Sequence, residues 1–393
     1  MNNETAAPTP ADRLRVLIAG GGVAALESAL ALADLAPEHT EVTVLAPNAE
    51  FVYRPLTVRE PFARGPASRY PLARIVRDAG AELVCDSLAW VDPAARIAHT
   101  RDGLELHYDA LVLAIGAHAR PRFKHALTID DTRMDELLHG LLQDVEGGYV
   151  RRLAFVSPGR MAWPLPIYEL ALMTAGRAFD TASELAVTIV TPEDSPLAIF
   201  GDAVSSEVSR LLRDAGIEVL TSAYPEVPRA GHVQVTPGGR LLEVDRIVAL
   251  PELYGPEVRG IPLGEHGFVR VDTYGQVPDA GPVYAAGDAT QFAVKQGGLA
   301  AQQADAVAES IAAAAGAPVV PNPFHPELHG VLFTDGKPRY LSARITGGAG
   351  FASQISDTPD PSYTAKIAAR YLTPYLENLD RQSDGASREA AGR

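Results

Sequence analysis

The stretch Leu14–Ala36, Leu-Arg-Val-Leu-Ile-Ala-Gly-Gly-Gly-Val-Ala-Ala-Leu-Glu-Ser-Ala-Leu-Ala-Leu-Ala-Asp-Leu-Ala, constrains the fold more than any other. Val16–Ala19 is a short apolar run of the kind that becomes a strand buried on both faces. From Val23 onward the apolar spacing is helical. Between the two, Gly20, Gly22 and Ala25 fall at the G-x-G-x-x-[GA] spacing. Gly20 permits a tight turn, Gly22 lets a pyrophosphate approach the backbone, and Ala25 lets the helix pack close to the strand. The free N–H groups at the helix start, those of Val23, Ala24 and Ala25, then face the phosphates. The unit reads as a dinucleotide site.

With 393 residues the chain has room for two or three domains. Its net charge of −15 disfavours nucleic acid and anionic lipid as partners. The single cysteine, Cys85, excludes an intrachain disulfide and a Cys-based metal cluster, and fits a reducing compartment. Residues 1–12 are polar and Pro-containing, with no basic segment ahead of an apolar run, so a flexible N-terminus is expected rather than a signal peptide. No run of about 18 uncharged apolar residues occurs, so no transmembrane segment is expected. The expected location is the cytoplasm.

Glu41–Ala46 reads as the second strand of the βαβ unit. Such a strand often ends in an acid that binds the adenosine ribose. Ala46 stands there instead, with Asn48 and Glu50 just beyond, and Arg54 follows as a candidate phosphate or adenine contact. Ala81–Tyr108 alternates as short strands with a hairpin signal at Asp102-Gly103, and Cys85 is expected to be a core thiol. Ala110–Ile115 is another buried strand, ending in Gly116-Ala117. Val283–Ala289 again runs from a strand into a glycine turn and an acid, Gly287-Asp288. Gly297-Gly298-Leu299 then opens an Ala-rich helix.

Residues 151–246 repeat the α/β rhythm, with strands at Leu153–Val156 and Leu185–Val190 and helices at Pro166–Thr174 and Ala203–Ala215. The first turn of this second unit lacks the glycine fingerprint. Only Gly159 is present, Pro158, Pro164 and Pro166 remove backbone donors, and Trp163 adds bulk. Glu193 stands where a ribose-binding acid would be. NAD(P)H binding here stays open. His325 and His329 are four apart, yet without further ligand types nearby they read as surface histidines. Leu341–Ile345 is strand-like, Gly347–Gly350 a turn, and Tyr363–Leu379 an amphipathic helix followed by a polar tail.

Three of these segments carry a resemblance. Asp109–Ala117 resembles the "YD-x-LVLATG" segment of the two-dinucleotide-domain flavoproteins, and Val283–Asp288 resembles their "hYAxGD" motif. With the N-terminal fingerprint they stand in the order of the FAD-dependent pyridine nucleotide-disulfide oxidoreductase-like family. The resemblance implies FAD, with Asp288 on its ribityl chain. It also implies that the helix opened by Gly297 points at the flavin N1–C2=O edge, where Lys295 would add charge. The tripartite order is similar to that of sulfide:quinone oxidoreductases, flavocytochrome c sulfide dehydrogenases and type II NADH:quinone oxidoreductases. It is closest to the sulfide-oxidising branch, whose two redox cysteines would fall near Ala162 and Gly330. Neither is a cysteine, so a thiolate relay is not expected. By the same resemblance Glu169 is a candidate base near the isoalloxazine. Trp163, Tyr168 and His118 are candidate pocket walls.

The expected fold is α/β. Two Rossmann-like dinucleotide-binding domains, the FAD domain split in sequence and the second inserted into it, are followed by a small C-terminal α+β domain. The expected boundaries are 13–118 and 251–317 for the FAD domain, 119–250 for the NAD(P)-binding-like domain, 318–380 for the C-terminal domain and 381–393 for a disordered tail. The catalytic candidates are Glu169 and Lys295. The cofactor candidates are Gly20, Gly22, Val23, Ala24, Ala25, Ala46, Asn48, Arg54, Gly116, Ala117, Gly287, Asp288, Lys295, Gly297, Gly298 and Leu299. The expected activity is that of an FAD-dependent oxidoreductase with a small-molecule or quinone-like electron partner. An NAD(P)H-dependent flavin reductase and a low-turnover flavin-binding partner module are the alternatives. Homo-oligomerisation is left open.

Overall fold

The computed structural model describes residues 13–160, 163–346, 350–359 and 365–391. Its first sheet is wholly parallel, in the order Val283–Ala285, Ala110–Leu113, Leu14–Ala19, Thr40–Leu45 and Glu82–Val84. Three of these strands, Leu14–Ala19, Ala110–Leu113 and Val283–Ala285, are apolar along nearly their whole length, as a sheet covered on both faces requires. The register matters more than the order. Ala19 lies level with Leu45 and Leu113, and Ala285 with Leu113, so strands from both ends of the chain finish on one line. The residues that follow, Gly20, Ala46, Ala114 and Ala286, form the carboxyl edge where open α/β sheets bind ligands.

Two alanine-rich helices, Val23–Leu35 and Gly297–Ala314, cover one face of this sheet. Ala24 and Ala300 approach so closely that a Cβ on Gly287 would come within 3.1 and 3.2 Å of theirs. Small side chains are what permit that approach. A second parallel sheet holds Leu127–Thr128, Arg246–Ala249, Arg152–Val156, Ala186–Val190 and Glu218–Leu220 in that order. The chain crosses between the two sheets on an antiparallel pair, His118–Arg120 with Glu252–Tyr254. A three-stranded antiparallel sheet, Glu327–Leu332, Arg339–Thr346 and Gly350–Ser356, precedes the last helix, Leu372–Ala391.

Several expectations are corrected. Cys85 is exposed just past Glu82–Val84, at the sheet edge opposite Val283–Ala285, so it is no core thiol. A strand at Leu88–Asp92, not singled out in the sequence, pairs with Ile97–Thr100. The last helix begins at Leu372, not Tyr363, and continues through Ala391, where a disordered tail was expected. Its apolar face supplies the reason. Leu372, Leu376 and Leu379 are buried in the same core as the two alanine-rich helices, and Tyr70 donates a hydrogen bond to Asp380. His329 is buried within a strand, where a surface histidine was expected, and no metal-binding group of side chains occurs among the described residues. Residues 1–12, Ala162, Tyr363 and most of the Gly347–Gly350 turn lie outside the described residues.

Candidate functional site

The carboxyl edge of the first sheet is built around two glycines with different tasks. Gly20 has φ +131°, and a Cβ there would lie 2.2 Å from the carbonyl oxygen of Ala114. Strand-to-strand contact therefore demands glycine. Gly22, at the N-cap of helix Val23–Leu35, is in extended conformation, and a Cβ there would meet nothing within 4 Å. No side chain caps this helix and its first turn holds no acid, so its amides look into open space. Gly116 and Gly287 have φ of +75° and +74° and turn the ends of their strands away from the same edge. Ala46 is fully buried beneath Gly21, whereas Asn48 is exposed and Glu50 is 3.9 Å from Arg69. No acid therefore replaces the missing ribose ligand at Ala46.

Asp288 follows on this edge. It accepts no hydrogen bond from the described residues, and burial pushes its carboxyl above the usual range, partly offset by Lys295 and Arg54. Arg54 Nη1 lies 3.6 Å from Asp131, another carboxyl raised by its surroundings. Both acids are crowded by protein yet still reached by solvent, the condition of groups lining a deep cleft. Lys295 donates to the carbonyls of Thr290 and Phe292 and lies 4.1 Å from the centroid of the Phe268 ring. Burial brings its ammonium down to about 8, with Asp288 opposing. Lys295 thus holds the loop from Asp288 to the next helix closed while keeping its charge beside that acid.

That next helix starts at Gly297, capped by the Gln296 side chain, which accepts from the Leu299 amide at 2.8 Å. A Cβ on Gly297 would meet Ile367 at 3.0 Å, and one on Gly298 would come 3.6 Å from the Ala368 nitrogen. The segment 366–368 therefore covers the helix start, fixed by the Ile367 amide donating to the Tyr53 hydroxyl at 2.8 Å. On the same segment Lys366 reaches Glu169. Its Nζ lies 2.7 and 2.8 Å from the two carboxylate oxygens, and Glu169 also accepts from the Phe333 amide at 2.8 Å. Both side chains are essentially inaccessible. Burial pushes Glu169 up and Lys366 down, each held back by the other's charge, and the Phe333 ring lies 4.3 Å from Nζ.

The second sheet presents a different edge. Gly159 is crowded by the Tyr224 ring, 3.3 Å from where its Cβ would be. Helix Leu165–Asp180 begins with Pro164 as N-cap and Pro166 in its first turn, so donors are missing where a pyrophosphate would need them. Tyr168 is fully buried, its hydroxyl 2.5 Å from Glu193, which also accepts from Thr191 at 3.1 Å. The residues present do not fit a tightly bound second dinucleotide. Burial raises Glu193 to about 6. The Tyr168→Phe variant is expected to lose about 1–3 kcal/mol in urea unfolding, because Glu193 then keeps only one hydroxyl donor. An unchanged midpoint would show that this bond carries nothing. Trp163 meets the Phe200 ring edge-on at 5.7 Å, and His118 is exposed on the crossing strand, so neither lines the first cleft with Asp288.

Asp131, Gln296 and Lys366 went unread in the sequence. Gln296 was the readable one, a polar N-cap immediately ahead of Gly-Gly-Leu. Asp131 and Lys366 reach the site only through tertiary packing.

Residues 168–308 match the family model described as pyridine nucleotide-disulphide oxidoreductase. This part of the chain is similar to that family. The matched segment includes Glu169, Asp288 and Gly297–Leu299, and the family is one of FAD-dependent oxidoreductases. No curated protein matches at a significant level. Among solved structures, the sulfide:quinone oxidoreductase of the hyperthermophilic bacterium Aquifex aeolicus is similar with a TM-score of 0.80 and 18% identity, over 88% of this chain and 87% of that one. The ferredoxin reductase for the CYP199A2 system from Rhodopseudomonas palustris has a TM-score of 0.65 and 20% identity, over 84% and 82%. The NAD-dependent persulfide reductase from A. fulgidus has 0.61 and 18%, over 85% and 64%. At these identities the likeness is one of fold. FAD fits the first edge: an open space at Gly22, an uncapped helix end and a half-buried acid, Asp288, with no hydrogen-bond donor among the described residues meet there. Among the described residues no helix is long and apolar enough to cross a membrane.

Proposed function

We propose that this oxidoreductase passes two electrons from a small-molecule donor through FAD to a quinone-like acceptor, without a cysteine relay. The observation that carries the reading is the buried Glu169–Lys366 pair, set on the segment that covers the start of helix Gly297–Ala314. In this reading Gly20, Gly22, Val23, Ala24 and Ala25 hold the pyrophosphate. Ala46, Asn48, Arg54, Gly116 and Ala117 border the cofactor, and Gly287 with Asp288 takes its ribityl hydroxyls. Gly297, Gly298 and Leu299 supply amide donors to the flavin edge.

FAD, when bound, supplies a two-electron acceptor. The acceptor that drains it takes up protons as well as electrons, and in this buried site the protein must deliver them. Lys366 Nζ carries a proton in a dry environment, Glu169 balances its charge before transfer, and a proton taken up from solvent restores the pair afterwards. Lys295 donates to two backbone carbonyls beside Asp288, and its part in this reading is electrostatic.

Cys85, exposed at the far sheet edge, is remote from this arrangement, which removes the thiolate chemistry of the sulfide-oxidising branch. The alternative, NAD(P)H as donor, has the parallel second sheet in its favour, with the prolines at Pro164 and Pro166 and the crowding at Gly159 against it. An anaerobic spectral titration decides. Neither NADH, NADPH nor sulfide is expected to bleach the flavin within seconds, whereas the photoreduced protein should be reoxidised by a short-chain quinone. Rapid bleaching by either nicotinamide would overturn the choice of donor, and bleaching by sulfide would restore a thiol-independent sulfide oxidation.

A further inference from the structure

One buried titratable cluster has no part in the mechanism above. Glu27 sits within helix Val23–Leu35, fully buried. Its two oxygens accept the amides of Tyr371 at 2.8 Å and Leu372 at 2.6 Å. These are the amides at the start of the C-terminal helix, so the carboxylate caps that helix from a neighbouring helix of the same core. Asp305 faces the same carboxylate from helix Gly297–Ala314, and its Oδ1 is buried with no N–H or O–H donor among the described residues.

Two carboxylates facing each other across a largely buried seam do not readily both ionise. Glu27 has two amide donors that favour its charged form, so the proton belongs on Asp305, which can donate it to Glu27. The other charged groups around the pair are Arg370 and Glu309, 3.5 Å apart, and Tyr371, whose hydroxyl reaches Asp34 at 3.4 Å. Burial first, then the charge of Glu27, pushes Asp305 up to about 8, with Arg370 opposing. Glu27 is raised by burial as well, but its amide donors hold it down.

We propose that Asp305 and Glu27 share one proton across the seam between the two cofactor-binding helices, and that this proton keeps the C-terminal arm, with Lys366 on it, seated over the start of helix Gly297–Ala314. Asp305 is then a positioning residue. It acts through Glu27 on the Tyr371 and Leu372 amides, and through the arm on Ile367 and Lys366. The catalytic consequence rests on the reading of Lys366 given above; the shared proton does not.

The sign of the pH effect follows from linkage. When the arm leaves, water reaches Asp305 and its pKa falls back towards the ordinary carboxylate value. The docked state therefore binds the proton more tightly than the undocked one. Docking is strongest in acid, weakens as pH rises, and stops changing above about 8.

Hydrogen–deuterium exchange of the FAD-loaded full chain, read on a peptide covering residues 366–379 and corrected for the intrinsic rate, tests this. Between pH 6 and 8 the opening equilibrium of the parent protein should rise by up to about tenfold per unit, then level off. Asp305→Asn keeps a donor to Glu27 without a titrating proton, so its opening should be independent of pH. Glu27→Gln gives Asp305 an amide donor, which favours the ionised acid, so it too should lose the slope. A parent protein with no slope from pH 6 to 9, or variants that follow the parent curve, overturns the proposal. Failure of the quinone activity would leave this exchange readout untouched, so the two readings fail separately.

Discussion

Lys366→Met is expected to cost about 3–5 kcal/mol in urea unfolding of the FAD-loaded protein, because it strands the Glu169 carboxylate where water does not reach. The variant can escape part of that cost by protonating Glu169. Burial, still opposed by the Phe333 amide, then sets that carboxyl, and it rises further once the ammonium that opposed the shift is gone. A carboxyl raised in the folded state binds protons that the unfolded chain has already released, so stability falls as pH rises from the ordinary carboxylate range upward. The variant should therefore be closest to the parent near pH 5 and furthest from it near pH 8. Glu169→Leu combined with Lys366→Met removes both charges and should recover most of the stability. It should not recover turnover. Reoxidation of the flavin by a short-chain quinone is expected to stay down by about a hundredfold, the usual contribution of a positioned proton donor. Stability that recovers together with full turnover would leave the pair a structural brace and would remove it from the mechanism.

How the site divides between readable and unreadable residues has a physical basis. Gly20 and Gly22 were legible because backbone approach to another strand or to a phosphate imposes glycine locally, whatever else the chain does. Val283–Asp288 was legible because a buried strand that ends at a ligand edge must carry small residues there. The parallel register bringing Ala19, Leu113 and Ala285 level was implied by those same runs. Glu169 was readable as a residue of interest, but its partner was not. Lys366 comes from 197 positions away, and a lysine in an irregular segment carries no local pattern. Glu27 and Asp305 are similar cases. Each looks like a tolerated charge on an alanine-rich helix until the helices are laid face to face. The last helix was misplaced because its polar C-terminal half, read alone, lacks the apolar stripe that tertiary docking of Leu372, Leu376 and Leu379 makes sufficient.

The two fingerprint glycines separate folding from cofactor binding, and substitutions there should have opposite signatures. Gly20→Ala places a methyl 2.2 Å from the Ala114 carbonyl oxygen at a residue with φ +131°. The backbone conformation alone costs about 1–3 kcal/mol, and the clash forces the strand Ala110–Leu113 away from Leu14–Ala19. That variant is expected to be unstable with or without FAD. Gly22→Val puts its side chain into open space, where nothing lies within 4 Å. The apoprotein should therefore melt close to the parent apoprotein. Its side chain fills the volume in front of the Val23 and Ala24 amides, the place a pyrophosphate must enter. Overpacking there costs about 3 kcal/mol, which is about a hundredfold in affinity. The purified variant should be colourless at cofactor concentrations that saturate the parent, with its thermal midpoint no longer raised by added FAD. A Gly22→Val protein that folds, stays yellow and binds FAD as tightly as the parent would move the cofactor away from this strand end. The roles assigned to Asp288, Lys295 and the Glu169–Lys366 pair would move with it, since each is defined by its place along that edge.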